Sequence, residues 1–259
     1  MSQDTDGDVR LEVRDGVAEL VLDRPAKHNA VTPAMARRVR DHARALDEDD
    51  AVRAVLLRGE GERAFCAGSD LNALAAYPST WHFRNRIEYA TAVRGIRKPV
   101  VAALRGWTLG GGAELALASD LRIAAASTKL GFPEVTRGWV GGGGASQLLP
   151  RLVGAGRAAR LLLLGEPVGA EEAFRLGLVE EVVADDALLP RAREIAAKLA
   201  AFSPVAVQSV KAAMRMAMEA PLSAGLTYEN EMNVLCFAAG DHLEGIRAFN
   251  AKRPAEFAR

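Results

Sequence analysis

The sequence predicts an α/β layered fold closed by a helical C-terminal region. Strand-like and helix-like segments alternate at a short pitch through about residue 185, which is the pattern of helices packed on a largely parallel sheet. Beyond that point only helical patterns remain. A chain of 259 residues with 49% apolar composition can bury roughly 70–75% of its unfolded surface, enough for one sizeable core.

In chain order, Val9–Arg14 and Val17–Leu22 alternate apolar and polar residues about Asp15-Gly16, a pair that tolerates the positive φ angles of a tight turn, so a β-hairpin is expected. Thr32-Pro33 supplies a helix cap and first helical position. Met35, Val39, His42, Ala43 and Leu46 then recur at helical spacing until the acidic run Asp47–Asp50 ends the segment. Val52–Leu57 reads as a strand, Trp81–Ile96 as a helix, Pro99–Leu104 as a strand, Gly112–Ser119 as a helix and Leu121–Ala125 as a strand. Leu188–Phe202, Pro204–Glu219, Leu222–Ala239 and Leu243–Lys252 are helical. Met214, Met216 and Met218 alternate around their helix, which reads as ordinary packing. The expected organisation is a core over 1–185 that carries the site and a helical region over 186–259.

Lys+Arg and Asp+Glu each number 33, so there is no basic excess for nucleic acid and no acidic tail. Cys66 and Cys236 lie outside any metal-ligand or disulfide spacing, and His28, His42, His82 and His242 form no metal pair. No metal site is expected. Met1–Asp8 is acidic where a secretory signal needs positive charge and an apolar run, and no stretch nears the ~18 apolar residues of a membrane span. A cytoplasmic protein without a membrane partner is the expectation.

Three segments have the composition of a reactive site. Gly110-Gly111-Gly112 lies between a strand and a helix, where bare backbone can present N–H groups to a developing negative charge; a tight turn with no ligand fits equally. Ala64-Phe65-Cys66-Ala67-Gly68-Ser69-Asp70-Leu71 is a second such turn. It lacks a nucleophile elbow, so Ser69 reads as a backbone donor. The third segment places Glu134 between two strand-like runs, Lys129-Leu130-Gly131-Phe132 before it and Val135 onward after it, 20 residues beyond Glu114. Carboxyls in apolar, glycine-rich settings suit general acid–base work, and a helix N-terminal charge or a solvated loop residue accounts for either glutamate taken alone. Gly154-Ala155-Gly156-Arg157-Ala158-Ala159 matches a dinucleotide fingerprint but lacks the strand before it and the acidic residue after it, so it reads as a helix-to-helix turn. No P-loop sequence occurs.

Taken together, Arg24-Pro25-x-x-x-Asn29-Ala30, the Ala64–Leu71 turn, Lys98–Ala103, Leu109–Ala116, Phe132-Pro133-Glu134, Ala170–Ala173 with Gly177-Leu178-Val179, and Phe249-x-x-Lys252-Arg253 resemble the enoyl-CoA hydratase/isomerase (crotonase) family over nearly the whole chain. The resemblance implies a crotonase-like spiral of ββα units with C-terminal helices that build homotrimers or homohexamers. It also implies an acyl-CoA thioester whose carbonyl oxygen is held by the Ser69 and Gly111 amides. Members that hydrate use two glutamates, here Glu114 and Glu134, so the resemblance points to an enoyl-CoA hydratase or dehydratase, a lyase of acyl-CoA metabolism. No cofactor is implied, because coenzyme A is part of the substrate. An isomerase or C–C bond-cleaving enzyme of the same fold is the alternative, and an RNA-associated binding protein is a weaker one. Lys27, His28, Ala30, Ala67, Asp70, Leu71, Asn72, Pro133, Trp139, Gly142, Phe249 and Lys252 are the implied substrate contacts. Coenzyme A affinity is expected to lean on Lys27, His28 or a neighbouring subunit's Lys252. Val140-Gly141-Gly142-Gly143-Gly144-Ala145-Ser146-Gln147 departs from the family's Ile-Pro-Gly-Ala-Gly-Gly-Thr-Gln-like stretch by losing the proline, which implies a more mobile loop. Arg137 and Trp139 are larger than the residues usual near the acyl pocket, and Asn72 stands where a basic or other polar residue is common.

Overall fold

The computed structural model describes residues 7–257; the N-terminal reading over Met1–Asp8 lies almost wholly outside them. The chain opens with the expected hairpin, strands β1 (Asp8–Arg14) and β2 (Val17–Asp23) paired antiparallel. Its turn residues take φ of 50° at Asp15 and 78° at Gly16, the left-handed geometry that matches the twist of the two strands. Helix α1 (Pro33–Glu48) is capped by the Thr32 hydroxyl, which accepts from the Met35 amide at 3.2 Å. Its buried stripe of Met35, Val39, Ala43 and Leu46 is the one read from the spacing. The His42 ring meets the Val9 carbonyl at 2.9 Å, tying α1 to the hairpin.

From β3 (Ala54–Gly59) onward the chain lays down strands in pairs. β3 and β4 (Ala64–Cys66), β5 (Val100–Leu104) and β6 (Trp107–Leu109), and β7 (Leu121–Ala125) and β8 (Lys129–Gly131) each give one strand to a first sheet and one to a second. The first sheet runs β1-β2-β3-β5-β7-β10, with β10 at Glu181–Val183, and is parallel from β2 onward. The second runs β4-β6-β8-β9, with β9 at Val168–Gly169 antiparallel to β8 and followed by α8 (Ala170–Leu176). This is the spiral of ββα units. The central strands are buried on both faces: Val55 and Leu57 point into the main core, while Leu56, Val101 and Ile123 face the other side.

That other side is covered by α9 (Leu188–Ala200) through Leu188, Ala192 and Ala196. Although it lies beyond residue 185, α9 is therefore part of the core. The helices after it differ. α10 (Pro204–Ala217) is held to the core by Lys211, whose ammonium donates to the Lys98 carbonyl at 2.7 Å and to the Asp120 carboxylate. α11 (Leu222–Ala239) buries no residue, and Leu222, Leu226, Val234 and Phe237 are exposed along it, as are Leu243, Ile246 and Phe249 on α12 (Asp241–Asn250). Met214 and Met218 are exposed too, so packing within the chain does not account for them.

Two local expectations are corrected. Trp81–Ile96 is not one helix: α3 (Thr80–Arg84) and α4 (Tyr89–Gly95) are separated by Asn85–Glu88, because Ser79 caps the first and Asn85 closes it. Glu134 is not flanked by two strands. It follows β8 on a 3-10 turn at Pro133–Arg137, and the glycine loop beyond leads into α6 (Ala145–Val153). Gly154 joins α6 to α7 (Ala155–Leu164), so the fingerprint-like sequence is the helix-to-helix turn expected. Among the described residues no helix is long and apolar enough to cross a membrane.

Candidate active site

The site forms where two glycine turns from the second sheet come together. Gly110 has φ 54° and ψ −123°, a conformation open in practice only to glycine, and its amide bonds to the Gly131 carbonyl at 2.9 Å. This turn starts α5 (Gly111–Ala118) directly at the cleft. The neighbouring turn is equally close: a Cβ on Gly68, itself at φ 92°, would lie 3.1 Å from the Gly111 nitrogen, and one on Gly112 would lie 2.1 Å from the Cys66 carbonyl oxygen. The turn after β4 and the start of α5 thus touch backbone to backbone. Among the described residues neither the Ser69 nor the Gly111 amide has an acceptor in the fold. The Ser69 hydroxyl pairs with that of buried Tyr89 at 3.1 Å.

Both glutamates line the same cleft, together with both glycine turns. Glu114, in the first turn of α5, is 3% exposed. Its Oε1 accepts from the Gly143 amide at 2.8 Å and the Ala145 amide at 3.1 Å. Burial pushes its carboxyl above the ordinary range, opposed by those two amides and by Arg86. Burial likewise raises Glu134, with the Glu114 charge adding to the effect. Glu134 Oε1 would lie 3.3 Å from a Cβ on Gly110, so the second carboxyl stands against the first glycine turn.

Of the residues expected to contact substrate, Ala67, Ser69, Leu71, Gly111, Glu114, Pro133, Glu134, Trp139 and Gly142 all line the cleft. Lys27, His28 and Ala30 do not; they run along the outside of the Ala67–Ser69 turn, where the His28 carbonyl accepts from the Ala67 amide at 2.9 Å. Asp70 is turned away to structural work. One carboxylate oxygen caps α2 (Leu71–Ala75) by accepting from the Ala73 amide, and the other pairs with Arg24 at 2.7 Å, which holds its carboxyl below the usual range. Asn72 is exposed beside it, outside the cleft lining. Phe249 and Lys252 sit exposed at the C-terminal end of the chain, outside the cleft. The Arg24-to-Asn29 motif also has a structural explanation: Asn29 Nδ2 donates to the carbonyls of Glu60, Ala64 and Phe65, and its Oδ1 accepts from the Arg24 amide.

The sequence reading missed Phe83, on α3, and Arg86 and Glu88, on the α3–α4 connection, all of which line the cleft. They carry no motif, and a continuous helix there would have hidden them. Phe83 packs on Trp139 with ring centroids 5.5 Å apart. The glycines of the 141–144 loop have a packing reason: a Cβ on Gly141 would stand 2.5 Å from Glu114 Oε1, and one on Gly142 would stand 2.2 Å from Arg86 Nη2. Cys66 is fully buried, and burial pushes its thiol up to about 12, so it supplies no nucleophile.

Known proteins resemble this chain over nearly its whole length. A family model described as enoyl-CoA hydratase/isomerase matches residues 12–259. A crotonyl-CoA hydratase of Syntrophomonas wolfei is 37% identical over 95% of this chain and 96% of its own. A 2,3-dehydroadipyl-CoA hydratase of Escherichia coli is 36% identical over 92% and 93%. The crystal structure of an enoyl-CoA hydratase from Bacillus anthracis superposes with a TM-score of 0.90 at 35% identity, covering 96% of this chain and 98% of that one.

Proposed function

The chain belongs to the enoyl-CoA hydratase/isomerase family, and from that premise we propose that it adds water to the C2–C3 double bond of an α,β-unsaturated acyl-CoA, or removes it. The observation that carries this reading is the placement of Glu114 and Glu134 in one cleft with the unpaired Ser69 and Gly111 amides. Those amides form the oxyanion hole. Holding the thioester oxygen, they draw electron density from C3 and stabilise the enolate that follows attack, each contributing about 3–4 kcal/mol. Glu114, kept as an acceptor by two backbone amides, takes a proton from water as its oxygen bonds to C3. Glu134, raised by burial, delivers a proton to C2, and the roles reverse in dehydration.

Trp139 and Phe83 give the acyl end a flat apolar wall, which favours short or planar acyl groups. The exposed apolar faces of α11 and α12 are covered by sister subunits in a trimer or a pair of trimers, and that assembly brings Lys252 and Phe249 toward a neighbour's coenzyme A. Lys27 and His28, beside the Ala67 turn, serve its phosphates.

Glu114→Gln and Glu134→Gln are expected to lower hydration kcat by about two orders of magnitude each while acyl-CoA binding holds, and the double variant to lose less than the product of the two. Near-full hydration by Glu114→Gln would overturn the two-glutamate mechanism, and a product with a shifted double bond and no added water would replace hydration by isomerisation.

A further inference from the structure

Glu88 is a third carboxyl in the cleft, and hydration has no step for it. It precedes α4 as its N-cap residue, half-buried, and its Oε2 accepts from Arg86 Nη2 at 3.3 Å. Both side chains close on the glycine loop. A Cβ on Gly142 would stand 2.2 Å from Arg86 Nη2 and 3.1 Å from Glu88 Oε2; one on Gly143 would stand 2.8 Å from Glu114 Oε2 and 3.0 Å from Glu88 Oε1. Glu88 and Glu114 therefore both reach the point where a Cβ on Gly143 would stand, and the Gly143 amide holds Glu114. Arg86 is fixed from behind: its Nη1 donates to the Phe83 carbonyl at 3.1 Å and its guanidinium lies 4.2 Å over the Phe83 ring.

The charged groups at this point come from every wall. Glu88 and Arg86 stand on the α3–α4 connection, Glu114 on α5, and Glu134 with Arg137 on the 3-10 turn; Tyr89 and Cys66 are buried behind and neutral. Burial and the Glu114 charge both raise the Glu88 carboxyl, and Arg86 opposes the rise in Glu88 and in Glu114 alike. Arg137 opposes it only in Glu134. One cation thus serves two of the three carboxylates.

We propose that Arg86 is a positioning residue of this site: it offsets Glu88 beside Glu114 and braces the Gly141–Gly144 loop, so that the Glu114 carboxylate stays charged and fixed in the cleft. The proposal deepens the hydration reading and rests on it. Without the guanidinium, two like charges are left close together beside Gly143, and Glu114 takes up a proton at higher pH.

The test is the pH profile of crotonyl-CoA hydration in four proteins, with folding checked by thermal denaturation. Arg86→Met is expected to lower kcat about tenfold at neutral pH and to move the acidic limb of kcat upward by about one unit, with KM within about threefold. Glu88→Gln moves the limb downward. The double variant Arg86→Met/Glu88→Gln recovers most of the lost kcat and returns the limb toward wild type, because the repulsion goes with both charges. A limb unmoved in Arg86→Met, or a double variant no better than Arg86→Met, overturns the proposal and leaves Arg86 as packing on Phe83. An isotope-edited infrared titration of the Glu114 carboxyl, identified by its loss in Glu114→Gln, reads the same order of titration without turnover. A wild type inactive on every enoyl-CoA therefore overturns the hydration reading, while the carboxyl titrations still decide the role of Arg86.

Discussion

Gly111→Ala adds one carbon at the point where the two glycine turns meet. Its Cβ would stand 1.9 Å from the Tyr89 hydroxyl oxygen and 2.9 Å from Cζ, well inside contact distance. The φ of Gly111 lies outside the left-handed region, so the whole penalty is steric. Tyr89 cannot swing away: it is 4% exposed, sits at the start of α4 and bonds to the Ser69 hydroxyl. The start of α5 must shift instead, carrying the Gly111 amide with it. Overpacking of this kind costs about 1–3 kcal/mol. In a chain of this size each kcal/mol lowers Tm by about 2–4 °C. A displaced oxyanion donor costs about a hundredfold or more in kcat. Tyr89→Phe removes the clashing oxygen at the expense of one hydrogen bond, about 1 kcal/mol. The nearest atom then lies at 2.9 Å, so the double variant should recover part of both Tm and kcat. The assays are loss of conjugated enoyl absorbance with crotonyl-CoA and a thermal melt. Wild-type kcat and Tm in Gly111→Ala, or no recovery on adding Tyr89→Phe, would refute the reasoning.

Trp139→Ala is expected to raise kcat/KM for long straight-chain enoyl-CoAs relative to crotonyl-CoA, since each methylene that the indole turns away is worth about 1–3 kcal/mol; an unchanged chain-length profile in a folded variant would remove Trp139 from the acyl wall. Sedimentation should give a trimer or a pair of trimers, and a stable monomer at micromolar concentration would leave the exposed apolar residues of α11 and α12 without a partner. Burial pushes Lys211 down to about 8, whereas an unfolded lysine holds its proton to about 10.4. Between those values the unfolded chain binds more protons, so this residue's contribution to stability rises with pH across that window. Urea unfolding at the two ends should show a larger gain in wild type than in Lys211→Met, and equal gains would contradict the assigned burial.

The features legible in the residues alone are those with a local physical cause. Asp15-Gly16 specifies the hairpin because its turn needs two residues at positive φ, and Thr32-Pro33 specifies the start of α1 because a hydroxyl and a proline each satisfy one requirement of a helix N-terminus. The Met35–Leu46 stripe and the alternation of strands and helices reflect periodicities that burial imposes on any sequence. Glu114, Glu134 and the two glycine turns were legible through an ordered resemblance, each beside a glycine motif.

Tertiary structure alone decided the rest. β4, β6 and β8 have three residues each, too few to show a period, so the second sheet exists only through its pairing with neighbours distant in sequence. Asp70 is acidic and adjacent to the site in sequence, yet Arg24 from the preceding hairpin's end claims its carboxylate. Arg86 and Glu88 acquire their place because the Gly141–Gly144 loop, more than fifty residues later, lacks the side chains that would have kept them out. A local pattern can state what a residue favours, but electrostatic and steric partnership depends on distance in space, which the chain acquires only by folding.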